Sequence, residues 1–343
     1  MQVKDCTFEE LVKFLNVHHI PTYRAKQIFG WIYQKNVDNW EEMSDLPKSL
    51  RQIFSEQNMQ LNALSVESRL KDTDETEKFL FRLDDSEYIE SVLLPESDRN
   101  TICFSTQVGC GMGCTFCATG KNGFRRNLST AEIVDQTMQI SRLTGARITN
   151  LVAMGQGEPL LNYEALIKSL KIMNDSKGLG LGARRMTIST CGIIPGILKL
   201  TREGIQLNLA ISLHAADNTL RDRLMPINRK YPLEPLIEAC REYIEKTSRR
   251  ITFEYTLIKD INDRDEDLKK LEKLLSGLLC HVNLIPFNPI SNSEYTRSGL
   301  TRILHFENTL NQHGIETTVR KERGSELTAA CGQLKASRLV EIK

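Results

Sequence analysis

What the chain lacks narrows the field first. Neither charge is in excess: 45 Lys and Arg stand against 44 Asp and Glu, a formal net charge of +1. Whole-molecule charge therefore favours no polyanion, and any nucleic-acid contact has to come from a local basic surface. No apolar run approaches a membrane span, and Met1–Leu15 places acids among its apolar residues where a secretory leader has a basic and then an apolar segment. A cytoplasmic protein with no membrane association is expected. Internal repeats and low-complexity tracts are missing too. The glycines of Lys177–Gly182 lack the phosphate-binding order that follows a strand, so no nucleotide loop is read there.

Cysteine is not scarce. Nine thiols, an odd number, suit a reducing compartment in which clustered cysteines are metal ligands or redox reagents rather than a disulfide framework. Three of them fall at Cys110, Cys114 and Cys117, a C-x3-C-x2-C run. No fourth Cys or His follows, since the next residues are Ala118-Thr119-Gly120-Lys121. A structural zinc wants four protein ligands and would need a remote thiol such as Cys103 or Cys331. An iron-sulfur cluster held by three thiolates instead leaves one iron open to chelate a ligand. Phe116 before the last cysteine, and glycines that let the backbone wrap a bulky group, favour the cluster.

This spacing resembles the signature loop of the radical S-adenosylmethionine (SAM) enzymes. The resemblance implies one 4Fe-4S cluster per chain, on Cys110, Cys114 and Cys117, whose open iron binds the amino and carboxylate groups of SAM.

Residues 7–55 read as short helices: Phe8, Leu11, Val12 and Leu15 follow helical spacing, as do Ala25, Ile28, Phe29 and Ile32, with Pro21 and Leu46-Pro47 as punctuation. From Leu64 to Leu94 the period shortens around Asp84-Asp85-Ser86, the mark of a small sheet. Beyond Thr101 strand and helix alternate. The expected strands are 101–108, 148–154, 185–190, 207–214, 251–258 and 282–287, and Ser129-x-x-Glu132 opens the first helix as a capping box. The fold class is α/β: a partial (β/α)6 barrel with sites at the carboxyl ends of its strands, as the resemblance also implies. Three regions are expected: a helical N-terminal accessory domain at 1–60, a candidate for RNA docking; a β extension at 61–100; and the barrel with a C-terminal cysteine segment at 101–343.

Several strand ends carry polar groups. Met154-Gly-Gln-Gly-Glu-Pro159 puts glycines and a carboxylate after the second strand, and Ser189-Thr190, Ser212-Leu213-His214 and Asn288 follow the third, fourth and sixth. Singly, each is as readily a turn or cap. Residues from about 8 to 335 nevertheless resemble the RNA adenine methyltransferases of the RlmN/Cfr family. The match is carried by Ser105–Cys110, Gly123–Leu128, Ser212–Ala215, Pro226–Asn228, Asn283–Pro289 and Ala330–Leu334. It implies SAM contacts at Gly157, Glu158, Ser189, Ser212, Leu213, His214 and Asn288. Gln156 stands where many relatives have Met, which leaves open what that side chain does near the radical.

SAM's methyl carbon is an electrophile, and carbon C2 of adenine is electron-poor, so polar transfer fails there. The resemblance implies a route with two SAM molecules per methylation. One methylates Cys331; the second, cleaved at the cluster, yields a 5′-deoxyadenosyl radical that takes hydrogen from the S-methyl group. The methylene radical adds to adenine as a protein–RNA crosslink, Glu90 removes the ring proton, and Cys103 attacks Cys331 to leave a disulfide and methylated RNA. Glu90 would need burial to act as a base. Cys6, Cys191, Cys240 and Cys280 read as core or idle thiols. The implied partners are large-subunit rRNA, tRNA, and a flavodoxin- or ferredoxin-like reducing system, with the enzyme expected as a monomer. Arg125-Arg126, Arg229-Lys230 and the group Arg320, Lys321 and Arg323 are candidate phosphate contacts. Two other readings stand beside this one: a C8-methylating member of the family, and a zinc-dependent RNA-binding protein without catalysis.

Overall fold

Helical spacing of Phe8, Leu11, Val12 and Leu15 produces α1 (Phe8–Val17) in the computed structural model, which describes residues 2–290, 293–324 and 327–334. Residues 335–343, the end of the expected barrel region, lie outside the described residues. Thr7 caps α1 reciprocally with Glu10, and Leu11 and Leu15 are buried. α2 (Arg24–Phe29) and α3 (Lys48–Glu56) bury Ala25, Ile28, Phe29, Leu50 and Phe54 against the same core.

Four strands follow: β1 (Ser65–Lys71), β2 (Glu77–Arg82), β3 (Tyr88–Glu96) and β4 (Arg99–Cys103). The signature loop lies inside a hairpin of β5 (Gln107–Gly109) and β6 (Phe124–Asn127), with α4 (Ala118–Lys121) between them. Then come α5 (Thr130–Thr144), β7 (Asn150–Ala153), α6 (Tyr163–Asn174), β8 (Met186–Thr190), α7 (Ile194–Leu200), β9 (Asn208–Ser212), α8 (Asn218–Leu224) and α9 (Leu233–Thr247). β10 (Ile251–Leu257), α10 (Asp265–Leu275), β11 (Cys280–Pro286), α11 (Leu300–Gln312) and β12 (Thr317–Val319) complete the order.

One ten-stranded sheet runs β1-β2-β3-β4-β7-β8-β9-β10-β11-β12. From β4 to β12 every pairing is parallel; from β1 to β4 every pairing is antiparallel. The sheet is left open between β1 and β12, which makes a partial barrel, as expected. Two details differ from the sequence reading. The extension is continuous with the barrel sheet. The expected first strand, 101–108, is cut in two, because Ser105 and Thr106 leave the ladder to bond the backbone of Glu90 and Gln156 while Gln107 starts the hairpin. β12 was not foreseen: three residues carry too little alternation to be read.

Register decides what faces the lumen. Lys78 pairs with Val92, Val92 with Cys103, and Cys103 with Val152, and directly paired residues share a face of the sheet. Lys78 and Cys103 therefore project to one side, with Glu90 two residues along from Val92. Phe79, Phe81, Ile89, Leu93, Ile102 and Leu151 face the helices on the other side.

The N-terminal segment is joined to α5 by charge. Lys4 and Asp135 form a fully buried ion pair, and Asp135 Oδ2 also accepts the backbone N–H groups of Ala63 (2.8 Å) and Leu64 (3.0 Å). Asp5 caps the same helix by accepting from Ala131 N–H at 2.7 Å. Lys4→Met leaves Asp135 charged and buried without its counter-ion, which is expected to cost about 3 kcal/mol. A fall in the urea midpoint relative to the wild type checks it; an unchanged midpoint would show that the pair contributes nothing net.

Candidate active site

Every group at the site hangs from a strand end or from the hairpin. After β5 the chain needs Gly109: its φ is +72°, and a Cβ there would lie 1.9 Å from the carbonyl oxygen of Gly123. That close approach lets Cys110 N–H donate to Gly123 O at 2.8 Å and pins the loop holding Cys110, Cys114 and Cys117. The three thiols line one wall of a cavity of about 960 Å³ that opens to solvent. Burial pushes the Cys110 thiol up to about 12 and raises that of Cys117, so metal loading has to displace protons. Among the described residues no three Cys, His, Asp or Glu side chains converge on a single metal ion.

The opposite wall comes from the strand ends. Gly157 (φ +103°) is another position where a side chain fails, since its Cβ would lie 2.6 Å from that of Gln107. Glu158 is buried; Oε2 accepts Cys191 N–H at 2.7 Å and Oε1 accepts Leu160 N–H at 3.0 Å. Desolvation raises its carboxyl, offset in part by those donors. Ser189 and Ser212 sit side by side, Oγ to Oγ 3.5 Å, and line the same cavity as Gly157, Glu158, His214 and Asn288. His214 Nδ1 accepts from Thr256 N–H at 3.0 Å, which puts the ring proton on Nε2, and burial, with Arg221 nearby, pushes its pKa down to about 3. Its ring meets Phe116 of the cluster loop edge-on at 4.7 Å. Leu213 is not brought in: it is fully buried, its N–H donates to Glu254 O and its carbonyl accepts from Arg221 Nε.

The two outlying thiols meet here. Ala118 N–H donates to Gly332 O at 2.7 Å, Thr119 Oγ1 to Leu334 O at 2.5 Å, and Asn288 Nδ2 to Cys331 O at 3.2 Å. These bonds lay the Cys331 segment across the cluster loop, and Cys331 lines the main cavity. Cys103 and Cys331 together line an adjoining cavity of about 770 Å³. Burial, then the neighbouring Cys331, pushes the Cys103 thiol up to about 12 against the pull of Arg320. All nine cysteines are free thiols. Glu90 is buried as expected, but it lines neither cavity and pairs with Lys78 at 3.3 Å.

Two sequence expectations are corrected and one open question is answered. Cys191 is no idle thiol: it lines the cavity and hydrogen-bonds through sulfur with Cys114, which with burial raises its pKa. Of the seven candidate phosphate contacts, Arg126, Arg320 and Arg323 are spoken for. Arg126 is held by Asp85 (2.5 Å) and Glu132 (2.9 Å), Arg323 by Glu96 and Pro95 O, and Arg320 points into the thiol cavities. Arg125, Arg229, Lys230 and Lys321 are exposed. Finally, the Gln156 side chain faces away from the ligand cavity, where Oε1 accepts Glu90 N–H at 3.3 Å.

Two residues escaped the sequence reading. Arg221, fully buried, donates to the carbonyls of Cys191, Ser212 and Leu213 and to Asn228 Oδ1, and so ties two strand ends and the Asn228 loop together. Glu254 sits in the lumen on β10, its carboxyl raised by burial. A lone charge inside the apolar run Ile251–Leu257 was the signal for it.

Because His214 is held neutral, folding has to exclude a proton that the unfolded chain binds below its ordinary pKa of about 6.5. Metal-free protein should therefore lose stability as pH falls from about 6.5 towards 3, and His214→Phe should flatten that slope without changing it above pH 7. Urea midpoints across the range check this; an identical slope in both proteins would refute it.

Comparison with known proteins follows this geometry. The radical SAM superfamily model matches residues 104–271, and a model described as "Ribosomal RNA large subunit methyltransferase N-terminal domain" matches 1–59. The chain is 47% identical over 336 residues to a "Probable dual-specificity RNA methyltransferase RlmN" of Clostridium botulinum, covering 98% of this chain and 96% of that one. It is 45% identical to a protein of the same name from a Thermoanaerobacter species, with 99% of each covered. A crystal structure of a radical SAM methyltransferase from Sphaerobacter thermophilus superposes with a TM-score of 0.95 at 45% identity, over 98% of this chain and 100% of that one. Superfamily membership implies a 4Fe-4S cluster and SAM, which the three thiols and the polar strand ends fit. The chain belongs to the RlmN family of RNA methyltransferases, within the radical SAM superfamily.

Proposed function

We propose that this RNA methyltransferase adds a methyl group to C2 of adenosine in large-subunit rRNA and in tRNA, with Cys331 as the methyl carrier and Cys103 as the thiol that releases it. The observation that carries the reading is that Cys331 lines both the cavity of the cluster thiols and the cavity of Cys103. A carrier must visit both places. The relatives' name, a dual-specificity RNA methyltransferase, supports two kinds of RNA target, and the description of the N-terminal model supports large-subunit rRNA as one of them.

Cys110, Cys114 and Cys117 would hold the cluster, and Gly157, Glu158, Ser189, Ser212, His214 and Asn288 would hold SAM. When bound, the two supply the one-electron chemistry that activates an inert methyl C–H bond. The chain's own residues do the rest. Asn288 and the Ala118 and Thr119 contacts fix the Cys331 backbone, so its S-methyl group is presented from a set position. Glu90 would then take the ring proton as the adduct gives up its unpaired electron, and Cys103 would attack the Cys331 sulfur: an S–S bond forms, the S–CH2 bond breaks, and the methylene carbon keeps the bonding pair and takes a proton to become the methyl group of the RNA that leaves. Burial keeps Cys103 protonated, and Arg320, whose charge both thiols feel, favours the thiolate that attack requires. The resulting disulfide has to be reduced before another round. A flavodoxin- or ferredoxin-like protein as electron source and a cytoplasmic monomer belong to the same proposal.

Anaerobic assay on rRNA and tRNA, with the modified position mapped by mass spectrometry, tests the function; methylation at C8 would place the chain in the other branch of the family. Cys103→Ala should accumulate a covalent protein–RNA adduct, whereas Cys331→Ala should retain iron and SAM cleavage but form no adduct. Methylation by Cys331→Ala would refute the two-thiol mechanism.

A further inference from the structure

Lys78 is charged, lies within a strand and is 7% exposed, a placement that costs free energy unless its ammonium is fully partnered. A leucine or methionine would pack against Val92 more cheaply. Its partners come from two distant parts of the chain. Nζ is 3.3 Å from Glu90 Oε1, on the neighbouring strand, and donates to Thr328 Oγ1 at 3.2 Å, three residues before Cys331. Thr328 has φ +49°, a left-handed conformation unfavourable for a β-branched residue by roughly 1–2 kcal/mol, and the bond from Lys78 helps to hold it. Neighbouring bonds dock the same segment: Gly324 N–H donates to Asp74 Oδ2 at 3.1 Å, and Ala329 N–H to Gly324 O at 2.9 Å.

We propose that Lys78 is a positioning residue that couples Glu90 to the docked Cys331 segment, its ammonium being shared between the Glu90 carboxylate and Thr328. The proposal rests on the reading of Glu90 as base and Cys331 as carrier. With the segment docked, one ammonium meets both the Glu90 carboxylate and the Thr328 hydroxyl, so the carboxylate is placed in register with the segment that carries Cys331. Placement of the base and docking of the carrier beside Cys103 thereby depend on the same side chain. Atoms balance simply: the ring proton passes to Glu90, and Lys78 neither gains nor loses one.

The test uses cluster-loaded wild type, Lys78→Met, Lys78→Gln, Lys78→Arg, Glu90→Gln and the Lys78→Met/Glu90→Gln double variant, in single turnovers on unmodified tRNA. Three yields are followed: 5′-deoxyadenosine, covalent protein–RNA adduct and methylated RNA. Iron content and 5′-deoxyadenosine at wild-type level show that a variant is folded and loaded; Lys78→Gln and Lys78→Arg keep the test alive if Lys78→Met is not. Lys78→Met and Lys78→Gln are expected to form adduct but resolve it about 10-fold more slowly, less than the roughly 100-fold or more for loss of acid–base assistance itself, because the base is still present. Lys78→Arg should recover most of the rate, and the double variant should be no slower than Glu90→Gln alone, as for residues acting through one group. Wild-type resolution by folded Lys78→Met or Lys78→Gln, or independent effects in the double variant, overturns the role of Lys78. Normal resolution by Glu90→Gln instead overturns the reading of Glu90 as base, and the coupling with it.

Discussion

The hydrogen bond from Ala118 N–H to Gly332 O, seconded by that from Thr119 to Leu334 O, is the contact on which the site depends. It joins the turn that leaves the last cluster cysteine to the segment that carries Cys331. It lays across the cluster loop a segment whose Ala329 and Leu334 also pack against Val92 and Cys103. The energy of two such bonds is modest, about 1 kcal/mol each. Asn288, Gln333 and the Lys78–Thr328 contact share the load.

Around that contact the protein maintains an unfavourable electrostatic environment. Glu158 and Glu254 are raised by burial, His214 is lowered, and the thiols of Cys103, Cys110, Cys117 and Cys191 are all raised. A cavity of this kind disfavours charge until a ligand or metal supplies the counter-charge, which makes loading and proton release one event. Arg221 is what the fold sets against this strain: its guanidinium satisfies carbonyls at two strand ends and one loop that would otherwise be buried with lone pairs unused.

Most of the scaffold was legible. Capping at Ser129, five of six barrel strands, the helical start and the C-x3-C-x2-C loop all come from local pattern, and local pattern survives folding. The losses have a common cause. The break of the expected strand at Ser105 arises because that hydroxyl bonds the carbonyl of Glu90, a partner on another strand. Arg126 and Arg323 were read as free cations, yet they are committed to carboxylates and a carbonyl brought near by the sheet. Cys191 looked idle because nothing in its own segment announces Cys114 as a neighbour. Leu213 sits in a motif beside two cavity residues, but strand alternation turns its side chain into the core.

The sequence by itself determined the chemistry available: three clustered thiols for an iron-sulfur group, two more at a distance, and a run of strand ends fit to hold a polar ligand. Only the tertiary structure decided that Cys103 and Cys331 share a cavity, that Glu90 is buried against Lys78 and that the extension strands continue the barrel sheet. The physical reason is range. Periodicity, capping and ligand spacing are set within a few bonds along the chain. Which buried charge meets which thiol depends instead on strand register and segment docking between residues hundreds of positions apart, and no local pattern encodes it.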